Sequence, residues 1–202
     1  MIKGMIFLAR SKSFHSGIVL MDNDKNNLTV LKLENYIESI PDFPKPGTLF
    51  YDLSPLIESP QAWKLAIDKL CSILAGSKIN MVYGIEARGF LVASAVALKL
   101  GIGMQMVRKK GKLPGATVAL TYDLEYGTDT IEIQNRPINY NNRVAVVDDV
   151  LATGGTMRAA IDLLSKVSIP VVCCATIIEL PFLKGRERLN TDFDSLLTYD
   201  GT

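Results

Sequence analysis

Two adjacent carboxylates follow a short apolar run in the second half of the chain. Residues 144–147 are apolar and mostly β-branched, which is typical of a strand buried on both faces of a parallel sheet. Asp148 and Asp149 come next, where that strand would end. Open α/β sheets bind their ligands beside the carboxyl ends of their strands. Carboxylates in that place can accept hydrogen bonds from vicinal hydroxyls and help to hold a divalent cation.

The residues after this strand have the composition of a phosphate-binding loop. They are Ala152, Thr153, Gly154, Gly155 and Thr156, and a helical pattern follows them. The two glycines permit a tight turn and a close approach to a ligand. The loop N–H groups and the N-terminus of the next helix suit a phosphate, and the threonine hydroxyls add donors. Phosphate and vicinal hydroxyls together indicate a ribose 5-phosphate; the alternative is a plain strand–loop–helix turn with acidic N-caps.

The composition is that of an ordinary globular domain. The chain has 202 residues, of which 48% are hydrophobic and 21% charged, enough for one domain whose core needs no disulfides. A formal net charge of +1 gives no general case for nucleic-acid or membrane binding. The three cysteines lie in apolar or helical patterns, without a Cys-x-x-Cys pair or a histidine cluster. They indicate buried thiols in a reducing compartment and neither a disulfide framework nor a zinc site.

The elements that must position these residues alternate along the chain. Helical spacing marks residues 60–75 and 91–100, and also 28–40, which precede a proline-rich break. Buried-strand patterns cover residues 80–85, 102–107 and 169–178, and residues 117–122 and 129–134 alternate like an antiparallel pair. The alternation predicts an α/β fold with a mostly parallel central sheet.

A second anion site is predicted in the turn at residues 86–90, which follows one buried strand and precedes a helix. Arg88 offers a planar, always-charged fork for phosphate, and Gly89 permits close backbone approach. The alternative is a structural salt bridge between Arg88 and Glu86. The turn becomes a candidate pyrophosphate site because it would lie at the same edge of the sheet as the aspartates.

Two further stretches have residue types suited to catalysis. Residues 108–112 hold four positive charges, with Gly111 and Gly115 as hinges, and such a loop could close over an anion; the alternative is a solvated surface. Glu125 has the setting of a general acid or base, although it could equally be an exposed loop residue. Residues 43–52 begin with prolines that stiffen the backbone, and Phe50 there could stack on a flat base or pack in the core.

Taken together, these stretches resemble the adenine phosphoribosyltransferases of the type I phosphoribosyltransferase family. The resemblance runs from about residue 41 to the C-terminus and rests on F-P-K-P-G, E-A-R-G-F, R-K-K-G-K-L-P-G, Y-D-L-E-Y-G, V-V-D-D-V-L-A-T-G-G-T and E-L-P-F-L-K-G-R-E. It implies the type I fold, with helices around the sheet and a small hood built from the N-terminal part and a flexible basic loop. It also implies a cis peptide bond between Glu86 and Ala87. One departure is Tyr51, where the family commonly has arginine.

The resemblance also implies a role for each site residue. Ala152 to Thr156 would bind the 5-phosphate, and Asp148 and Asp149 would bind the ribose hydroxyls and Mg²⁺, directly or through water. Pyrophosphate would be bound by Glu86, Ala87, Arg88, Arg108, Lys109 and Lys112, and adenine by Leu49, Phe50, Tyr51 and Leu180. Glu125, Arg88 and Lys112 would be the catalytic residues.

The implied reaction is Mg²⁺-dependent transfer of the phosphoribosyl group of phosphoribosyl pyrophosphate (PRPP) to N9 of adenine, giving AMP and pyrophosphate in purine salvage. The implied partners are these small molecules and a second copy of the chain in a cytoplasmic homodimer, with no nucleic acid and no membrane. We expect a phosphoribosyltransferase domain at residues 28–202. Residues 1–27 would be an extension, which is favoured over a targeting leader. Two alternatives stay open: an enzyme for another base, such as xanthine or hypoxanthine, and a non-catalytic PRPP sensor.

Overall fold

The computed structural model describes residues 18–21, 28–123, 127–136 and 142–201. Residue contacts divide the chain into two compact units, residues 1–57 and 58–202, which are described separately below. The boundary expected at residue 28 and the hood remain predictions. Within the described residues, no helix is long and apolar enough to cross a membrane.

The first unit is built mainly from two short antiparallel pairs. Strand β1 (Ile18–Met21) pairs with β2 (Leu28–Leu31), and β3 (Glu38–Pro41) pairs with β4 (Leu49–Asp52). A 3₁₀ turn at Leu33–Tyr36 separates β2 from β3, and the short helix α1 (Ser54–Glu58) follows β4.

The helix expected at residues 28–40 is therefore wrong. Isolated helical segments of this length are marginal in water without a packed apolar face. Pro41 also disfavours the helical conformation for the residue before it, so Ile40 is extended. In β3, Ile40 lies opposite Phe50 of β4, across the turn that contains the cis bond Phe43–Pro44. This pairing gives the backbone of residues 38–41 a partner strand in β4.

The second unit contains, within the described residues, a seven-stranded sheet. Its strand order is β11-β10-β9-β5-β6-β8-β7. Neighbours from β11 to β6 pair in parallel, whereas β8 pairs antiparallel with both β6 and β7. The strands are β5 (Met81–Ile85), β6 (Gly103–Lys109), β7 (Thr117–Asp123), β8 (Thr128–Gln134), β9 (Val144–Leu151), β10 (Val171–Glu179) and β11 (Asp192–Thr198). The predicted α/β class, the mostly parallel sheet and the antiparallel pair are confirmed.

Three helices of this unit were expected from the sequence and are present. Helix α2 (Pro60–Ala75) begins after Ser59, whose side chain accepts a hydrogen bond from the Ala62 N–H at 3.3 Å. Helix α3 (Gly89–Leu100) ends at Gly101, which has a left-handed conformation. Helix α4 (Gly155–Lys166) begins within residues 152–156, here called the phosphate-type loop.

Helices α3 and α4 cover opposite faces of the sheet. On β5, a Cβ added to Gly84 would lie 2.7 Å from Cβ of Ala93 in α3, whereas Tyr83 belongs to the core cluster that contains Met157 of α4. Successive strand residues point to opposite faces, so the two helices lie on different sides. This explains why residues 144–147 of the central strand β9 are fully buried.

Candidate active site

The carboxyl ends of three neighbouring strands form the site. Strand β9 pairs in parallel with β5 on one side and with β10 on the other. The predicted pyrophosphate turn follows β5, the aspartates and the phosphate-type loop belong to the end of β9, and Leu180 follows β10. The structure therefore brings these predicted residues to one edge of the sheet, as expected for an α/β fold.

The phosphate-type loop has the backbone geometry that its glycines suggested. Gly154 has φ +78°, and α4 begins at the next residue. The Arg158 N–H donates to the Gly154 carbonyl at 2.9 Å, which fixes the first turn of the helix. The N–H groups ahead of it have no partner within the helix, so the loop presents donors to an anion.

Residues 180–186, here called the supporting segment, contact this loop, and sequence reasoning missed that contact. The Leu180 N–H donates to the Leu151 carbonyl at 2.9 Å. Farther along, a Cβ added to Gly185 would overlap the carbonyl oxygen of Ala152, and one added to Gly154 would lie 2.5 Å from the carbonyl oxygen of Gly185. The two backbones are thus in direct contact through glycines. The only sequence signal was the glycine of the K-G-R-E motif.

An ion pair holds the supporting segment on the sheet. The Arg186 guanidinium donates to both carboxylate oxygens of Glu179 at 2.6 and 2.9 Å, and to the Phe193 carbonyl at 2.7 Å. The Ser195 hydroxyl also donates to Glu179, at 3.2 Å. These hydrogen bonds, above all that from Arg186, lower the pKa of Glu179 despite its burial. The supporting segment therefore starts from a fixed position at the end of β10.

The two aspartates differ in their surroundings. The Asp149 carboxylate lies 2.6 Å from Nε of Arg88, whereas Asp148 accepts a hydrogen bond from the Asp149 N–H at 2.9 Å. Burial, followed by the charge of Asp149, raises the pKa of Asp148 well above its ordinary value. A Cβ on Gly89 would lie 2.6 Å from Oδ1 of Asp148, so the turn after β5 lies directly against the end of β9.

The aspartate pair suits Mg²⁺ only in combination with a ligand. Among the described residues no group of three or more His, Cys, Asp or Glu side chains could hold a metal. Mg²⁺ is commonly held by one or two carboxylates together with substrate phosphates. A cation beside Asp148 would also favour its ionised form, which burial and Asp149 disfavour.

The turn at residues 86–88 has the expected cis bond between Glu86 and Ala87. Glu86 accepts hydrogen bonds from Arg108 at 3.0 and 3.3 Å and from the Lys109 N–H at 2.9 Å. The bond from Arg108 is the main reason that the pKa of Glu86 is lowered. The alternative interpretation, an ion pair between Arg88 and Glu86, is wrong because each has a different charged partner, Asp149 and Arg108 respectively.

A buried carboxylate orders the basic loop. Glu132 of β8 is 4% exposed and accepts hydrogen bonds from the N–H groups of Lys112 and Leu113, both at 3.1 Å, and from the Thr117 hydroxyl at 3.2 Å. Arg108 donates to the Lys112 carbonyl at 2.9 Å. The loop backbone is therefore held while the Lys112 side chain remains at an exposed position.

A cavity of about 130 Å³ joins the phosphate-type loop to the basic side of the site. Thr156 lines it on the loop side, and Glu86, Arg108 and Lys109 line it on the other. Its remaining walls are Ile85, Val107, Tyr122, Asp129 and Ile131. Residues predicted for the 5-phosphate and for pyrophosphate thus border one space.

The residues expected to bind a base lie in both units. In β4, Tyr51 is buried and Leu49 is exposed, and the Phe50 ring meets the Phe43 ring edge-on with centroids 5.1 Å apart. Leu180 of the second unit is buried. Their joint role remains a prediction, and Glu125 lies outside the described residues.

Comparison with known proteins shows the family of this chain. The model of the phosphoribosyl transferase domain family matches residues 57–196. The adenine phosphoribosyltransferase of Rhodospirillum rubrum is 54% identical over 170 residues, which cover 84% of this chain and 99% of the relative.

Solved structures give the same result. The crystal structure of adenine phosphoribosyltransferase from Thermoanaerobacter pseudethanolicus has a TM-score of 0.80 and 41% identity, with 83% of this chain and 100% of that chain covered. The enzyme from Trypanosoma brucei, solved in complex with AMP, pyrophosphate and ribose-5-phosphate, has a TM-score of 0.75 and 25% identity, with 82% and 77% covered. The chain belongs to the phosphoribosyltransferase family, and within it to the adenine phosphoribosyltransferases.

Proposed function

We propose that this chain transfers the 5-phosphoribosyl group of PRPP to N9 of adenine, giving AMP and pyrophosphate in purine salvage. The observation that carries the proposal is the single sheet edge at which a phosphate-type loop, an aspartate pair and an arginine-bearing turn meet. Its relatives of known structure include an enzyme solved with AMP, pyrophosphate and ribose-5-phosphate.

In this proposal the two ends of PRPP bind to different strands of the sheet. Residues 152–156 bind the 5-phosphate through backbone N–H groups and threonine hydroxyls. Asp148 and Asp149 accept hydrogen bonds from the ribose hydroxyls, and Arg88 lies beside Asp149, where it can reach the pyrophosphate. The sugar is then fixed between two anion sites, which orients its anomeric carbon.

In the proposed reaction, cationic side chains stabilise pyrophosphate as it leaves. Adenine N9 bonds to the anomeric carbon as the bond to the pyrophosphate oxygen breaks, through a loose, oxocarbenium-like transition state. Arg88, Arg108 and Lys112 stabilise the negative charge that develops on pyrophosphate. Asp148 and Asp149 would hold Mg²⁺, which when bound neutralises phosphate charge.

Glu125 is proposed to accept the proton that the imidazole ring of adenine loses when N9 bonds to the anomeric carbon. The Glu125→Ala variant should lower kcat by about 10²-fold or more, since positioned acid–base groups contribute that much. PRPP affinity should stay near that of the wild type, as measured by calorimetry. An equal loss of PRPP binding would contradict this role.

Base selectivity is proposed to come from the main chain of β4, next to Phe50. Adenine presents a 6-amino donor and an N1 acceptor, which match the C=O and N–H of one residue such as Leu49. Hypoxanthine and guanine present the reverse pattern, and each unpaired buried polar group costs ~1–3 kcal/mol. Because this reading uses backbone groups, Tyr51 in place of the family arginine should leave it intact.

We also propose a cytoplasmic homodimer that binds neither nucleic acid nor membranes. Support for the dimer is an open hollow on α3 and β6, lined by Phe90, Leu91, Met104 and Met106, with Leu91 48% exposed. Apolar surface of this kind is typical of protein interfaces. Analytical ultracentrifugation would measure the mass in solution.

The decisive experiment is AMP formation from adenine and PRPP with Mg²⁺, beside hypoxanthine, guanine and xanthine. Turnover confined to adenine is the expected result. Turnover of an oxo-purine would agree with the proposed PRPP site. It would contradict the proposal that the main chain of Leu49 selects adenine. PRPP binding without turnover on any base would indicate a non-catalytic sensor.

A further inference from the structure

Tyr122 reaches the phosphate-type loop from a different part of the sheet. It belongs to β7, the last strand in the sheet order, whereas the loop is at the end of β9, the third strand. Its hydroxyl oxygen lies 3.2 Å from Oγ1 of Thr156, so the two hydroxyls share a hydrogen bond. Both side chains also line the cavity that leads to Arg108.

The position of the Tyr122 ring is fixed by packing. Val118, Leu120 and Tyr122 lie at alternate positions of β7 and pack against the core cluster that contains Met157 and Ile161 of α4. Strand and helix are also joined by Lys166, whose ammonium group donates to the Ala119 carbonyl at 3.3 Å. The hydroxyl of Tyr122 is therefore held at a defined point beside the first turn of α4.

The number of protons and acceptor sites on the two hydroxyls indicates which of them donates in this hydrogen bond. A threonine hydroxyl has one proton to donate and two acceptor sites. When Thr156 donates its proton to a phosphate oxygen, its oxygen can still accept the phenolic proton of Tyr122. The phenol of a tyrosine is protonated at neutral pH and can donate, and burial raises the pKa of Tyr122 further. A chain of donors from Tyr122 through Thr156 to phosphate would be strengthened by mutual polarisation.

We propose that Tyr122 is a positioning residue for the 5-phosphate site, where it donates a hydrogen bond to Thr156 and so directs the threonine proton at the phosphate. This inference rests on the proposed function, because it requires the loop to bind the 5-phosphate of PRPP. It adds a residue from the β7–β8 pair that sequence motifs did not assign. The contribution is specific for ligands that carry the 5-phosphate.

The test uses variants of the full chain that change one hydroxyl at a time. Tyr122→Phe keeps the ring and removes the phenolic oxygen, and Thr156→Val removes its partner, whereas Thr156→Ser keeps the hydroxyl. Thr121→Val is the matched control, because Thr121 also makes a hydroxyl–hydroxyl bond, to Thr130 at 2.9 Å, on the same strand pair. Calorimetry with ribose 5-phosphate and with adenine, and steady-state kinetics, are measured for each.

The expected result is a loss confined to the phosphate ligand. Tyr122→Phe should weaken ribose 5-phosphate binding and raise the KM for PRPP by about fivefold, the size of a net hydrogen bond. Its kcat and adenine affinity should stay within about twofold of wild type. This is expected when a lost hydrogen bond had stabilised the bound substrate and the transition state equally. Thr156→Ser, which keeps the hydroxyl, should lose less ribose 5-phosphate affinity than Thr156→Val. In the Thr156→Val background, Tyr122→Phe should have no further effect.

Other outcomes overturn the proposal. Ribose 5-phosphate binding by Tyr122→Phe equal to that of Thr121→Val would show that the contact contributes nothing. An equal loss for adenine would assign Tyr122 to general packing, and a loss that persists beside Thr156→Val would show that it does not act through Thr156. Failure of the wild type to bind ribose 5-phosphate rejects the premise as well. A different result would reject only the proposed function. In that case the wild type would bind ribose 5-phosphate and Tyr122→Phe would weaken this binding, but no AMP would form.

Discussion

Gly185 offers the sharpest test of how the phosphate site is held. A Cβ at this position would overlap the carbonyl oxygen of Ala152 and would lie 2.9 Å from the backbone nitrogen of Gly154. Both obstacles are backbone atoms, so no side-chain rotation can relieve them. Gly185→Ala must therefore separate the supporting segment from the phosphate-type loop.

The size of the effect follows from the overlap. Carbon atoms normally approach other heavy atoms to roughly 3.5 Å, so the two backbones must move apart by more than about 1 Å. Overpacking of this kind costs ~1–3 kcal/mol of unfolding free energy. A misplacement of about 1 Å in a binding site can cost about 10²-fold in rate. We expect kcat/KM for PRPP to fall by about 10²-fold.

Steady-state kinetics and thermal unfolding should be measured together, with Gly76→Ala as the control. Gly76 has φ −63° and no heavy atom within 4 Å of an added Cβ, so the same change there is unstrained. A Gly185→Ala enzyme with wild-type kcat/KM for PRPP would refute the reasoning, even if its melting temperature fell. A loss of the same size in Gly76→Ala would refute it too.

Three further changes test other contacts. Glu132→Ala leaves two loop N–H groups without their acceptor and should lower Tm and raise the KM for PRPP, whereas Glu132→Gln retains an oxygen acceptor and should stay near wild type in both assays. Asp148→Asn combined with Asp149→Asn should abolish calorimetric binding of Mg·PRPP; tight binding would contradict their assignment. Since Arg186 lowers the folded-state pKa of Glu179, the pair stabilises the fold above the unfolded pKa of about 4.3 and is lost as pH falls through the folded value. The Tm difference between wild type and Glu179→Gln should therefore shrink between about pH 5 and pH 3, and a constant difference would count against the ion pair.

Features set by neighbouring residues were predictable from the sequence. The predicted bounds of the helix at residues 60–75 agree with α2, because Ser59, Pro60 and the apolar spacing are all local signals. The glycines of the loop after β9 likewise predicted its tight turn, since glycine adopts the φ of +78° found at Gly154 without steric cost.

Contacts between distant residues were not predictable in the same way. Glu132 stands between two isoleucines in an alternating strand, a pattern that gives no sign of a carboxylate satisfied by loop N–H groups 19 and 20 residues away. The segment at residues 28–40 has helical spacing, but its strand β3 depends on a partner beyond the proline turn. The charged partner of Arg88 was missed for the same reason, since Asp149 comes from another strand.

Three of the four cations proposed to bind pyrophosphate have a carboxylate partner among the described residues: Arg88 with Asp149, Arg108 with Glu86 and Lys109 with Asp129. A polyanion that binds here must therefore break an ion pair between protein side chains for each new ion pair that it forms with these three. This cost lowers the affinity of the site for the polyanion. We expect this competition to keep the free enzyme from being occupied by abundant cellular phosphate. It should also speed the release of pyrophosphate, because the protein carboxylates form their ion pairs with these cations again as the product leaves.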